Sequence, residues 1–422
     1  MRGDRKQSVT SAPERVGYRE ALANREFRAL FLGRSLSTAG DYLARAALMI
    51  AVYERTESAG LMAVTFGLTM LPDLLGGPLL AGLADRYPRR TVMICSDVGR
   101  AMLLLCMAIP GMPLAGLWLL VIATRLLDTP FNGAHTATLS VALTGESFVT
   151  ATSMNLQVAH LGYALGYGLS GVMVGWLGIS GVLVLNAATF LGSAALIRFG
   201  VRLRPATAAE TDASPWLASL RSAVVFVARH RRLRVLILFT LLIAIAPIGV
   251  TLAVPYAAQF GVDVAAAGVL MAANCTGIVV GLWAYTRWVR PASRSRLMAP
   301  LMVLTSLPFV AFVLQPGVWA GAALFAVSGA ALCFWIPLGA EYTRSAPDSQ
   351  RGQLAGLLFT FMRVSQGITV VLFGVLAESF APSSVITGTG LAGLVLCALL
   401  LAAWRAATSS TRSESIRSEQ PA

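Results

Sequence analysis

The stretch GGPLLAGLADRYPRR, Gly76 to Arg90, joins an apolar run to a knot of charge. Gly76 to Ala84 are glycine, proline and aliphatic residues; Asp85, Arg86, Arg89 and Arg90 then follow within six positions. Upstream, the run reaches back to Gly60, interrupted by Thr65, Thr69 and Asp73. A bilayer core is crossed by about 20 mostly apolar residues at 1.5 Å rise each. The stretch therefore reads as the end of a membrane span followed by a charged loop.

The rest of the 422-residue chain supports that reading. Hydrophobic residues make up 56% and charged residues 13%, whereas a soluble domain carries about 25% charged residues. The balance is basic, 33 Lys+Arg against 20 Asp+Glu, for a formal net charge of +13. In a soluble protein this would suggest nucleic acid; in a membrane protein it reflects positive charge retained on the cytoplasmic side. The cysteines at 95, 106, 275, 333 and 397 stand singly in apolar runs, so neither disulfide framework nor metal motif is expected. With three histidines, His135, His160 and His230, a histidine-rich metal centre is not expected either. The first 26 residues are polar, so no cleavable signal peptide is expected.

A hydropathy window gives about twelve spans, at 28–53, 59–83, 91–110, 114–136, 151–176, 179–199, 233–258, 265–288, 297–315, 318–340, 353–377 and 384–405. Alternate connectors collect the arginines: Arg2 to Arg28, Arg86 to Arg90, Arg202 to Arg234, Arg287 to Arg296, Arg344 with Arg351, and Arg405 to Arg417. The other connectors hold little beyond Arg55. This asymmetry places both termini in the cytoplasm. The expected architecture is an all-α polytopic membrane protein, with twelve helices in two six-helix halves. Its expected divisions are a tail at 1–26, a half at 27–200, a central loop at 201–232, a half at 233–405 and a tail at 406–422. Trp216 to Arg234, WLASLRSAVVFVARHRRLR, reads as a basic amphipathic surface helix. Six plus six about a central loop is a layout of many secondary transporters.

Gly82, Asp85, Arg86, Arg89 and Arg90 in GLADRYPRR resemble the loop between the second and third spans of the major facilitator superfamily. The usual intervening glycine is replaced by Tyr87-Pro88, which implies a stiffer loop. NREFRALFLGRSLSTAGD (Asn24 to Asp41), VYERTES and LNAATFLGSAAL (Leu185 to Leu196) resemble the drug:proton antiporter branch that holds macrolide-efflux proteins and the enterobactin exporter. The resemblance implies a loop that latches the outward-facing state. Asp85 is expected to accept backbone N–H groups at the start of the eleventh span, near Asp348 to Gly352. Positive-inside charge alone accounts for the arginines, but not for Asp85.

Ionisable groups inside spans are costly and mostly functional. Asp41 shares a helix face with Arg45 and is expected to pair with it or to carry protons. Asp73 follows Pro72 and has no basic neighbour in its own span, and an unpaired carboxyl in an apolar setting takes up a proton readily. Arg125 in ATRLLD matches the family's buried fourth-span arginine, which implies a role in proton transfer; a static pair with Asp128 is the alternative. Asp97 and Asp128 are expected as gate partners of Arg86, Arg89 or Arg90. Gln157, Asn186, Asn274, Arg363 and Gln366 either line a substrate cavity or bond helix to helix. Tyr42, Tyr163, Phe131, Trp283 and Trp335 are candidate aromatic walls or packing residues. Gly162, Gly166 and Gly171 are spaced for close helix packing; the fifth-span motif of antiporters has a proline where Tyr167 stands.

No nucleotide-binding GxxxxGK[ST] loop and no nucleophile elbow is present in the sequence. The expected function is therefore not enzymatic. It is rocker-switch efflux of a small lipophilic or amphipathic compound, driven by a proton gradient without cofactor or metal. The expected partners are substrate, protons and the lipid bilayer of the cell membrane, with no nucleic acid and a monomeric chain. An importer of a polar or anionic nutrient, and a non-transporting membrane sensor, are the alternatives.

Overall fold

The computed structural model describes residues 22–70, 86–143, 146–205, 216–262, 264–290, 293–347 and 350–418. The second half of the opening stretch's span, with Asp73, Gly82 and Asp85, lies outside them. Among the described residues the regular structure is helical, with no strand.

Helix α1, Arg25–Thr56, starts where the Asn24 side chain accepts the N–H groups of Glu26 (2.9 Å) and Phe27 (3.1 Å). This satisfies two of the donors that every helix leaves open at its first turn. It stops at Glu57, whose φ of 52° cannot continue a helix. Helix α2, Ala59–Leu68, follows at once with Ser58 as its cap. Next come α3, Arg89–Met107, and α4, Leu114–Ala142. Helix α5, Glu146–Gly200, runs through the fifth and sixth expected spans and breaks at Gly178 (φ 68°, ψ 171°), a conformation favouring glycine. The break falls between the expected spans 151–176 and 179–199.

The central stretch forms α6, Trp216–Arg229, the expected helix after residue 215. The seventh expected span, 233–258, is not one helix. It divides into α7, Arg231–Leu238, α8, Thr240–Ile243, α9, Ile248–Thr251, and α10, Ala253–Gln259. Pro247, which has no N–H to donate, stands at the break before α9, and the Thr240 and Thr251 hydroxyls bond the carbonyls of Ile237 and Pro247 at 2.6 and 2.9 Å. The remaining helices are α11, Val264–Trp288, α12, Arg294–Val310, α13, Val318–Ala331, α14, Trp335–Ser345, α15, Arg351–Ser379, and α16, Pro382–Ser418.

Eight stretches of the described residues are long and apolar enough to cross a membrane. Helices α1 and α3 are not among them, because Arg34, Asp41 and Arg45, and Asp97 with Arg100, lower their apolarity. Both expected spans of α5 are counted there as one stretch, Thr150–Gly200.

Helices before and after the central stretch meet along two seams. In one, α2 packs on α15, with Gly374 against Ala63 and Gly67 against Val371. In the other, α5 packs on α11, with Gly171 against Gly268 and Gly168 against Ala272. Small residues let the helix backbones approach where lipid supplies no hydrophobic drive.

The ends of the helices differ in charge. At one end Arg25 donates to the Phe199 carbonyl (3.3 Å), Arg89 to that of Ala137 (2.9 Å) and Arg90 to that of Arg198. Glu26 accepts there from the Arg202 N–H (2.7 Å) and the Arg204 guanidinium (2.6 Å). Beyond the central stretch, Arg232 and Arg344 both pair with Glu341. The opposite end is poor in arginine: Arg55 donates to the Met112 carbonyl (3.0 Å), and the Tyr256 hydroxyl to that of Pro316 (2.5 Å).

Candidate functional site

Three helices of the first group bring their ionisable residues into one chain of contacts. Arg100 of α3 reaches Asp97 in its own helix at 2.5 Å and Asp128 of α4 at 2.8 Å. Arg125 of α4 reaches Asp41 of α1 at 2.9 Å and Asp128 at 3.9 Å. The order is Asp97–Arg100–Asp128–Arg125–Asp41, with alternating sign throughout.

Helical spacing explains part of it: Asp97 and Arg100, like Arg125 and Asp128, are three apart and so share a face. Burial explains the rest. The Asp97 and Arg100 side chains are 0% and 2% exposed, and a buried charge without a partner is strongly destabilising. Arg100 is further enclosed by the rings of Phe131 (4.6 Å) and Phe190 (4.3 Å), which attract a cation over their faces. Asp41 and Asp128 remain 18% and 21% exposed. The chain is thus sealed at Asp97 and accessible at Asp41 and Asp128.

Two more arginines flank it. Arg34 bonds Asn132 and lies 5.9 Å from the Phe131 centroid. Arg45 lies 5.1 Å over the Tyr42 ring. Tyr42, Tyr163 and Tyr167 form a mutually packed trio with centroids 5.0 to 5.5 Å apart, joining α1 to α5. An alternating ion chain with a partly exposed carboxylate at the Asp41 end is suited to taking up a proton there and releasing an arginine to another partner.

Several expected pairings differ in the structure. Asp41 takes Arg125 across the helix interface rather than Arg45 in its own helix. Asp97 and Asp128 take Arg100, while Arg89 and Arg90 bond backbone carbonyls and Arg86 is exposed. The reason is reach: Arg100 leaves its own helix between both carboxylates, while Arg89 and Arg90 sit in the first turn of α3, two to three turns away along the axis. Asp73, Gly82 and Asp85 lie outside the described residues.

The candidate cavity residues separate into two kinds. Asn186 is fully buried, packs against Gly40 of α1 and accepts from Thr189 at 3.0 Å. Asn274 is equally buried and donates to the Phe325 carbonyl at 3.3 Å. Both sit in helix-to-helix contacts. Gln157 is exposed, and Arg363 and Gln366 are half-buried on α15. Gly162 and Gly166 face α1, where a Cβ on Gly166 would meet the Ala39 carbonyl at 2.9 Å; Gly171 faces α11. Among the expected aromatic residues, Phe131 is buried against Arg100, whereas Trp283 is exposed and stacks edge-on with Trp288.

The hub role of Arg100 and the bond from Arg34 to Asn132 are not foreshadowed by spacing within one helix. The Asp97/Arg100 interval was the available signal, and it stops at the helix boundary.

Residues 30–290 match the sequence model of the Major Facilitator Superfamily. Over 172 residues the chain is 26% identical to the uncharacterized MFS-type transporter YfiS of Bacillus subtilis (strain 168). That alignment covers 40% of this chain and 41% of YfiS, so the match spans less than half of the relative's length. Solved transporters share the fold. A bacterial homolog of the human lysosomal transporter Spinster, in an inward-facing and unoccupied conformation, superposes with a TM-score of 0.72 at 14% identity, covering 93% of this chain and 98% of that one. A POT family transporter in complex with 5-aminolevulinic acid gives 0.71 at 14% identity, with 93% and 98% coverage. A mutant of the nucleoside transporter NupG gives 0.73 at 14% identity, with 90% and 99% coverage. With more than half of its length inside the family match, the chain belongs to the Major Facilitator Superfamily.

Proposed function

We propose that the protein is a proton-coupled secondary transporter that exports a small lipophilic or amphipathic compound across the cell membrane. Twelve helices in two six-helix halves, divided at the central stretch 201–232, rock about a midplane cavity; both termini are cytoplasmic and one chain suffices. The observation that carries the proposal is the chain from Asp41 through Arg125 and Asp128 to Arg100, buried at one end and accessible at the other. Protonation of Asp41 loosens its hold on Arg125, and a buried cation released from one carboxylate seeks another partner. That coupling gives a proton a means of changing the packing of α1 on α4. Asp73 is the second candidate proton site, and Gly82, Asp85, Arg86, Arg89 and Arg90 form the gating loop. Gln157, Arg363 and Gln366 are the candidate cavity residues.

Everted membrane vesicles test this with a fluorescent lipophilic cation and a macrolide as probes. The expected result is probe uptake that requires a proton gradient and stops when a protonophore collapses it. Uptake indifferent to the gradient overturns the coupling.

One observation favours a second reading, an importer of an anionic nutrient. The site holds Arg34, Arg45, Arg100 and Arg125 against Asp41, Asp97 and Asp128, and Arg34 bonds the neutral Asn132. An anion filling that surplus would appear as uptake into right-side-out vesicles, competed by other carboxylates.

A further inference from the structure

Glu378 stands in the last turn of α15, one residue before its end at Ser379. Its carboxylate leaves its own helix for the start of α2. There Oε1 accepts the Ser58 hydroxyl at 2.5 Å and the Gly60 backbone N–H at 2.6 Å. Ser58 caps α2 and accepts the Leu61 N–H at 3.0 Å, so one turn gathers hydroxyl and N–H groups around the carboxylate.

The chemistry of this contact is specific. The first N–H groups of a helix have no partner inside it, and together they carry about half a positive charge. A carboxylate is the complementary group, and charge-assisted bonds of this kind are short. Gly60 permits the approach, since a Cβ there would lie 3.0 Å from Oε1 and 3.2 Å from Cγ of Glu378. Deeper in the same seam the contacts are small and apolar, Ala63 with Gly374 and Gly67 with Val371. Those contacts are non-directional packing; the Glu378 contact is directional.

Position gives the contact its meaning. It joins a helix before the central stretch to one after it, at the arginine-poor end of the molecule. A surface groove at the end of α1 is lined by Glu54 and Glu57 from one side and Val254 and Val262 from the other.

We propose that Glu378 and the Ser58–Gly60 turn form the outer latch of the protein. The carboxylate holds the arginine-poor face shut and releases the helix end when that face opens. This rests on the alternating-access reading above. The contact is exposed at Glu378, so water replaces the lost bonds on release. The latch is therefore firm enough to bias the equilibrium and weak enough to cycle.

Spin labels at Glu54→Cys and Val262→Cys test the latch. The background is the full chain in lipid nanodiscs, with Cys95→Ser and Cys106→Ser because both native thiols are exposed. Distances are measured without substrate or gradient, so an absence of transport leaves the result readable, and an unchanged distance leaves the transport reading standing. Glu378→Ala is expected to raise the ratio of long to short distances about tenfold, the equivalent of one hydrogen bond to a charged group. Glu378→Gln, which keeps an acceptor without the charge, is expected to fall between that variant and the parent. Ser58→Ala removes one donor while keeping the Gly60 N–H, and it reports a rise of the same sign should Glu378→Ala fail to give a monodisperse protein. Glu57→Gln, an acid beside the latch with no place in it, is expected to change nothing. A parental distance distribution in Glu378→Ala, or an equal shift in Glu57→Gln, overturns the proposal.

Discussion

Arg125 of α4 donates to the Asp41 carboxylate of α1 across 2.9 Å, although Arg45 stands one turn from Asp41 in the same helix. Arg125 is 6% exposed, and attraction between charges grows as the surrounding dielectric falls. The deeply buried cation needs the carboxylate more. Arg45 instead lies 5.1 Å over the Tyr42 ring and is half-buried.

Removing one side of this pair should be costly. Arg125→Ala leaves Asp41 and Asp128 without it and is expected to lower stability by about 3–5 kcal/mol. Asp41→Asn with Arg125→Gln, which neutralises both, should recover much of that loss. Thermal unfolding in detergent measures both, and equal losses in the single and double variants would refute the pairing. Asp41→Asn alone is expected to abolish the response of transport to the proton gradient.

Arg100 is a fork between two carboxylates, and that geometry is not shared by lysine. Arg100→Lys should keep the charge, lose one of the two carboxylate bonds and lose the stacking on Phe131 and Phe190. The expected destabilisation is about 1.5–3 kcal/mol. An unfolding midpoint identical to that of the parent would mean that the fork is not what holds α3 to α4.

The glycines of α5 are not equivalent. At Gly166 a Cβ would stand 2.9 Å from both the Ala39 carbonyl oxygen and the Leu43 nitrogen, so backbone must move to admit it. Gly166→Ala is expected to destabilise by about 1–3 kcal/mol, the range for overpacking. At Gly175 nothing lies within 4 Å of such a Cβ. Gly175→Ala is expected to be neutral or to stabilise by about 0.5–1 kcal/mol, since alanine suits a helix better than glycine. Paired melting curves check the contrast.

Asp73 is distinguishable from Asp41 by function alone. If Asp73 carries protons, Asp73→Asn should flatten the dependence of vesicle transport on external pH while probe binding persists. A parental pH profile in that variant removes Asp73 from the mechanism.

Much of this protein is legible in one dimension. Long apolar runs interrupted by arginine clusters announce membrane helices, because burial in lipid and retention of positive charge are properties of local composition. Gly178 marks the break in α5, because a positive φ is a preference of one residue. The run GLADRYPRR pointed to the superfamily that the match over residues 30–290 establishes. The interruption of the seventh span was not legible in this way, since Pro247 falls at a break while Pro130, Pro300 and Pro308 lie inside unbroken helices.

What the linear pattern left open is which charge meets which. Asp41 had a plausible partner four residues away and took one from another helix; Asp97 and Asp128 had three loop arginines available and took Arg100. Asn186 and Asn274 could line a cavity or bond helix to helix by sequence, and they lie buried in helix contacts. Glu378, at the end of an apolar run, carried no motif at all, and its partners lie more than 300 positions earlier. The physical reason is the same in each case. Hydropathy and backbone preference act along the chain, so the sequence by itself determined that this is a helical membrane protein and which end of it is basic. Hydrogen bonds and ion pairs act over a few ångströms in space, so only the packing of α1 on α4, α3 on α4 and α2 on α15 decided which side chains form the charge chain and which one closes the latch.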